Sequence, residues 1–245
     1  MNLHYRIDGE GDRVVVLSDS LGSTLDMWEP QVAALAESFS VLRYDHPGHG
    51  SSPLPEARNM ESFARELVAL LDELGVERVS FCGLSLGGAV GMQLALDAPE
   101  RVDRLVLCCT SMRFATPEFW EERIAAVRSG GVEAVADTVL ERWFTPEFPD
   151  VQRYREMLVS TPAEGYARCC EALREWDVRG RLGAVRAPTL VVAGSDDPST
   201  PTAELEAIAA EIEGASLVVL DPARHLANVE RATEFNDALV AHLAA

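Results

Sequence analysis

In the run Phe81-Cys82-Gly83-Leu84-Ser85-Leu86-Gly87-Gly88 a serine stands between two glycines, where a short apolar segment gives way to an alanine-containing helical pattern. The spacing G-x-S-x-G predicts a strand that turns abruptly into a helix. The glycines omit the Cβ atoms that would collide in such a turn, and the serine is left strained and exposed at the carboxyl edge of a sheet. Ser85 is therefore the first residue to which chemistry is assigned.

Strand-like and helical segments alternate around this turn. Val14–Ser18, Ser40–Tyr44, Val79–Gly83 and Val102–Cys108 read as strands, with helices over Trp28–Phe39, Met60–Leu74 and Leu86–Ala98. After Arg186 the alternation resumes with strand Pro188–Ala193, helix Thr202–Ile212, strand Ser216–Leu220 and a closing helix Asn228–Leu243. Such an order predicts an α/β fold with a mostly parallel central sheet flanked by helices. Between the halves, Thr110–Arg186 shows helical periodicity without clear strands, over Pro117–Val127, Val132–Phe144 and Asp150–Arg174. The expected organisation is a core of residues 1–109 and 187–245, with residues 110–186 inserted after a central strand as a helical cap over the site. A chain of 245 residues, 47% hydrophobic, can bury such a core.

A serine hydroxyl is a weak nucleophile at neutral pH, so it needs a histidine base and an acid to orient that histidine. Of the five histidines, His4 and His242 lie near the termini, while His46 and His49 fall in the Asp45–Gly50 loop, ahead of the serine. His225 follows the last predicted strand and is the expected base, because a triad on such a sheet runs serine, acid, histidine. The acid should lie in Gly194-Ser195-Asp196-Asp197-Pro198-Ser199-Thr200-Pro201. Both aspartates are possible there; the G-x-x-D-x-x-x-P spacing, which resembles a loop familiar in folds of this kind, favours Asp197, with Asp196 as the capping or solvated alternative. Charge developing on a carbonyl oxygen requires backbone N–H donors. Leu86, next to the serine, should supply one, and Leu21, in Asp19-Ser20-Leu21-Gly22 after the first predicted strand, the other.

The net charge of −19, from 40 acidic and 21 basic residues, argues against nucleic acid and anionic membranes as partners. Thr110–Arg186 is nearly balanced, with eleven arginines against thirteen acids, and is where an anionic ligand could be held. The five cysteines, including the adjacent pairs Cys108-Cys109 and Cys169-Cys170, lack zinc-binding spacing and read as small buried side chains. No metal or organic cofactor is called for. The N-terminal Met1–Arg6 does not resemble a signal peptide and no apolar run approaches membrane-spanning length, so a cytoplasmic protein is expected.

Four blocks carry a family resemblance: Leu17-Ser18-Asp19-Ser20-Leu21-Gly22 with Met27-Trp28, the turn at Ser85, Arg142-Trp143-Phe144-Thr145-Pro146-Glu147-Phe148, and His225-Leu226-Ala227-Asn228-Val229-Glu230. Together they resemble the α/β-hydrolase superfamily and, within it, the 3-oxoadipate enol-lactonases. The resemblance implies an α/β-hydrolase fold and a small anionic substrate, an unsaturated lactone with a carboxymethyl arm, opened by water during bacterial aromatic catabolism. It implies that Arg142 meets the carboxylate, that Trp143 forms an apolar wall, and that Ser20 lies against the substrate. Asp19 departs from the asparagine that resemblance leads one to expect. Some relatives carry a decarboxylase domain after the lactonase, whereas this chain ends one helix beyond His225, so a lactonase standing alone is expected. The rival readings are a C–C bond hydrolase of ring-cleavage products, a general carboxylesterase, and a ligand-binding relative that does not turn over.

Overall fold

Every residue of Val79–Leu84 is buried, as a strand with both faces covered by helices must be. In the computed structural model, which describes residues 3–54 and 59–245, this segment is one of seven strands. They are β1 (Tyr5–Asp8), β2 (Val14–Ser18), β3 (Ser40–Tyr44), β4 (Val79–Leu84), β5 (Val102–Cys108), β6 (Thr189–Gly194) and β7 (Ser216–Leu220). The sheet runs β1-β3-β2-β4-β5-β6-β7. All neighbours are parallel except β1, which pairs antiparallel with β3 through Tyr5↔Tyr44 and Asp8↔Val41. The sequence reading has no strand at β1, because three of its four residues are exposed and no apolar pattern marks an edge held by backbone bonds alone. Met1 and Asn2, the first residues read for a leader, lie outside the described residues.

The helices are α1 (Glu29–Ala36), α2 (Met60–Glu73), α3 (Leu86–Asp97), α4 (Pro117–Gly130), α5 (Ala136–Trp143), α6 (Val151–Val159), α7 (Ala163–Glu175), α8 (Thr202–Glu211), α9 (Ala227–Glu230) and α10 (Ala232–Ala244). Helix α2 begins where Asn59 Oδ1 accepts the Ser62 N–H at 2.9 Å, an N-cap that satisfies one of the helix's unpaired donors. Helix α3 is buried on all sides from Leu86 to Ala95, so it packs as part of the core.

The segment expected as one helix over Asp150–Arg174 is broken between α6 and α7. Pro162 lies at the break; it has no N–H to donate and disfavours helical backbone at the preceding residue. Helix α1 starts at Glu29 after a 3-10 turn over Leu25–Trp28, and the closing helix is divided at Arg231. Helices α4 to α7 lie between β5 and β6 in the chain. The loops after β2, β4, β6 and β7 all leave the sheet at its carboxyl edge, where parallel α/β sheets place their sites. Among the described residues no helix is long and apolar enough to cross a membrane.

Candidate active site

Ser85, between β4 and α3, has φ 58° and ψ −111°, a backbone conformation that L-residues rarely adopt. A Cβ on Gly83 would stand 2.3 Å from the Gly87 carbonyl oxygen, and a Cβ on Gly87 would stand 2.1 Å from that of Ser18. Only glycine fits at either position. The strained residue is held from both sides: its N–H donates to Cys108 O at 3.0 Å, and its carbonyl accepts from Thr110 Oγ1 at 2.8 Å.

His225, in the loop after β7, directs Nδ1 at Asp197 Oδ2 across 2.7 Å. Both residues are only 4% exposed, so the pair is shielded from water. Asp197 also accepts the Thr200 hydroxyl at 2.6 Å and the Ser199 N–H at 2.7 Å. Burial by itself would raise the Asp197 pKa, but the adjacent His225 and these hydrogen bonds outweigh it and hold the carboxyl below its ordinary value. As an anion, Asp197 fixes the proton on Nδ1 and leaves Nε2 as the basic nitrogen. Asp196 is exposed, and its N–H donates to Ala223 O at 2.9 Å.

The loop after β2 rests on a buried polar shelf. Its Asp19 carbonyl accepts the Gly87 N–H at 3.0 Å and lies 2.9 Å from His46 Nε2. The Gly22 N–H donates to His49 Nε2 at 3.0 Å, so His49 is neutral there. Burial lowers the pKa of His46 to about 3 and that of His49 to about 4. Burial, reinforced by the Asp45 charge, pushes the Asp19 carboxyl well up. Asp19 and His46 are 3.6 Å apart and are driven toward their neutral forms. Leu21 follows directly on this shelf, and Leu86 opens α3 with a first-turn N–H that has no intrahelical acceptor.

A cavity of about 400 Å³ brings most of the predicted residues together: Ser85, His225, Ser20, Leu21, Arg142 and Trp143 all line it. Asp197 stands behind His225, and Leu86 is fully buried beneath the turn. The cavity also takes Phe119, Trp120, Arg123 and Tyr166 from α4 and α7, none of which the sequence reading singled out. They occupy apolar-face positions of amphipathic helices, where core and ligand contacts look alike. Among the described residues no aspartate or glutamate lines this cavity. Among the described residues no group of three His, Cys, Asp or Glu side chains is placed to hold a metal ion, and all five cysteines are free and buried.

The strained serine after β4, the acid after β6 and the histidine after β7 occur on a sheet whose sequence also matches a known family. A profile for the α/β hydrolase fold matches residues 13–154. The chain belongs to the α/β-hydrolase family. This hydrolase is 37% identical to a 3-oxoadipate enol-lactonase of Acinetobacter baylyi, over 98% of this chain and 92% of the relative. It superposes on the crystal structure of the enol-lactonase from Burkholderia xenovorans with a TM-score of 0.96 and 41% identity, covering 99% of this chain and 96% of that one. It is also 33% identical, over 99% of this chain and 97% of the relative, to RutD of Stutzerimonas stutzeri, a protein named for carbamate hydrolysis.

In this hydrolase, two of the sequence blocks that carried the resemblance are bonded to each other. The His225 and Leu226 N–H groups donate to the carbonyls of Arg142 and Trp143, at 3.3 and 3.1 Å. Glu230 Oε1 accepts the Thr145 N–H and hydroxyl at 2.8 and 2.6 Å, and its Oε2 accepts the Arg224 N–H at 2.6 Å. Arg224 in turn donates to Phe144 O at 3.2 Å and to Glu141 O. The end of α5 and the histidine loop thus form one hydrogen-bonded unit. No spacing in the sequence announces it, since the partners lie some eighty residues apart.

Proposed function

We propose that this hydrolase opens 3-oxoadipate enol-lactone to 3-oxoadipate in the cytoplasm, as a step of aromatic compound catabolism by the β-ketoadipate route. The reading rests above all on one observation: a serine on a strained turn and a histidine paired with a buried carboxylate share a cavity that, among the described residues, arginines line and no acid does. The similarity to enol-lactonases supports it.

Ser85, His225 and Asp197 act as the triad. Ser85 Oγ attacks the lactone carbonyl while His225 Nε2 takes its proton and Asp197 stabilises the imidazolium. The Leu21 and Leu86 N–H groups receive the oxyanion. Collapse of the tetrahedral intermediate breaks the acyl C–O bond as His225 gives its proton to the leaving enol oxygen, which stays tethered in the acyl-enzyme while the imidazole returns to its neutral form. Water activated by His225 then releases the acid. Residues 110–186 serve as a cap over this site, where Arg142 pairs with the carboxymethyl arm, Trp143 packs against the ring and Ser20 borders it.

Progress curves with the enol-lactone, a p-nitrophenyl ester, a dienone ring-cleavage product and a carbamate test the assignment. The highest kcat/KM should belong to the enol-lactone. A higher value for the dienone or the carbamate overturns the reading, and turnover of the p-nitrophenyl ester alone makes the protein a general carboxylesterase.

A further inference from the structure

The cavity holds more positive charge than a lactone with one carboxylate requires. Arg123 of α4 and Arg142 of α5 both line it, and among the described residues no acid does. Among the described residues neither is ion-paired, whereas Arg128, Arg155, Arg168 and Arg174 of the same inserted helices all meet carboxylates. Both cavity arginines are half-buried and lie against one aromatic ring: the Phe119 centroid is 4.7 Å from the Arg123 guanidinium carbon and 5.7 Å from that of Arg142. The Arg123 guanidinium donates to the Tyr166 hydroxyl at 3.4 Å. Burial raises the Tyr166 pKa, so the phenol stays neutral and does not cancel the charge. Two half-desolvated like charges beside one ring repel each other until anions arrive.

We infer that Arg123 is a second carboxylate-recognition residue, and that with Arg142 it makes the cavity a site for linear dicarboxylates the length of the ring-opened product. The inference builds on the proposed lactonase reading. Hydrolysis adds water across the acyl C–O bond, the new acid loses its proton, and the ligand passes from one negative charge to two. One arginine matches the substrate's carboxylate, and the pair matches the product's two. Arg123 therefore contributes to specificity and to product retention.

The test does not use the lactone. Competitive inhibition of p-nitrophenyl acetate hydrolysis is measured with adipate and with hexanoate at fixed ionic strength, and the ratio of inhibition constants is read within each protein. The wild-type protein should bind adipate about 10-fold more tightly than hexanoate, the expectation for one additional charge-assisted pair in a sheltered site. Arg123→Gln should bring the ratio close to one, and Arg123→Lys should restore most of it. A wild-type ratio near one, or a ratio unchanged in Arg123→Gln, overturns the inference. If Arg123→Gln does not fold, the wild-type salt dependence decides: adipate binding should weaken with ionic strength about twice as steeply as hexanoate binding, and equal slopes overturn the inference. Failure to turn over the enol-lactone would instead sink the functional proposal and leave the adipate preference standing.

Discussion

Ser85 combines a strained backbone with a side chain whose loss creates no packing defect. Ser85→Ala should therefore fold as the parent does and lose at least about 10⁴-fold in kcat on any ester or lactone. Its unfolding midpoint and steady-state rate, measured on one preparation, check this; survival of more than a few per cent of activity would count against covalent serine chemistry. The adjacent aspartates are separated by their surroundings. Asp197 is buried against His225, while Asp196 is exposed. Asp197→Asn should cost several orders of magnitude in kcat, because the amide neither stabilises an imidazolium nor secures the tautomer, and Asp196→Asn should cost little. Reversed severities would assign the acid's role to Asp196.

The bonds between the end of α5 and the His225 loop give that helix a part in placing the His225 side chain. Glu230 carries three of these bonds. Glu230→Ala leaves the partly buried Thr145 and Arg224 N–H groups without their acceptor, at about 1 kcal/mol each. The accompanying shift of the His225 loop should lower kcat about 10-fold, since small misplacements of a catalytic group are costly. Glu230→Gln retains an acceptor oxygen and should recover much of the rate. Should Glu230→Ala lower the unfolding midpoint while kcat stays at the parent value, the bonds are structural only.

For the whole molecule, the polar shelf beneath the β2 loop sets a pH dependence of stability. His46 and His49 titrate at about 3 and 4 in the folded protein, against about 6.5 unfolded. Near pH 5 the unfolded chain binds close to two protons at these sites that the folded chain does not, and fewer toward pH 4 or 6.5, so both histidines make stability fall as pH falls. The Asp19 carboxyl, raised by burial, works the other way: where the folded form keeps a proton that the unfolded form has lost, stability falls as pH rises. Asp19 therefore offsets part of the histidines' effect, which is a loss of stability on acidification. Asp19→Asn removes the opposing group and should steepen that loss. Denaturant unfolding at pH 5, 5.5 and 6 measures both; identical slopes would mean that Asp19 is ionised in the folded state. The Asp197 carboxyl, held low, contributes only further down, losing its stabilisation as pH falls through its folded-state value.

The chain order of Ser85, Asp197 and His225, the strands β2 to β7 and the glycines of the elbow were legible in the sequence, because each is fixed by local rules of spacing, periodicity and steric room. Strand β1 was not legible, since its pairing satisfies backbone groups and buries little apolar surface. Nor were the presence of Arg123 and Tyr166 in the cavity wall and the Glu230 contacts with the end of α5. Each depends on which face of one helix meets another element far away in the chain, and that is decided by packing. The sequence by itself determined a parallel-sheet hydrolase with a serine elbow. Only the tertiary structure decided that Asp197 is shielded, that the cavity carries two arginines with no ion-pair partner among the described residues and that the His225 loop is bonded to the end of α5, because burial and charge pairing are properties of neighbours that folding alone supplies.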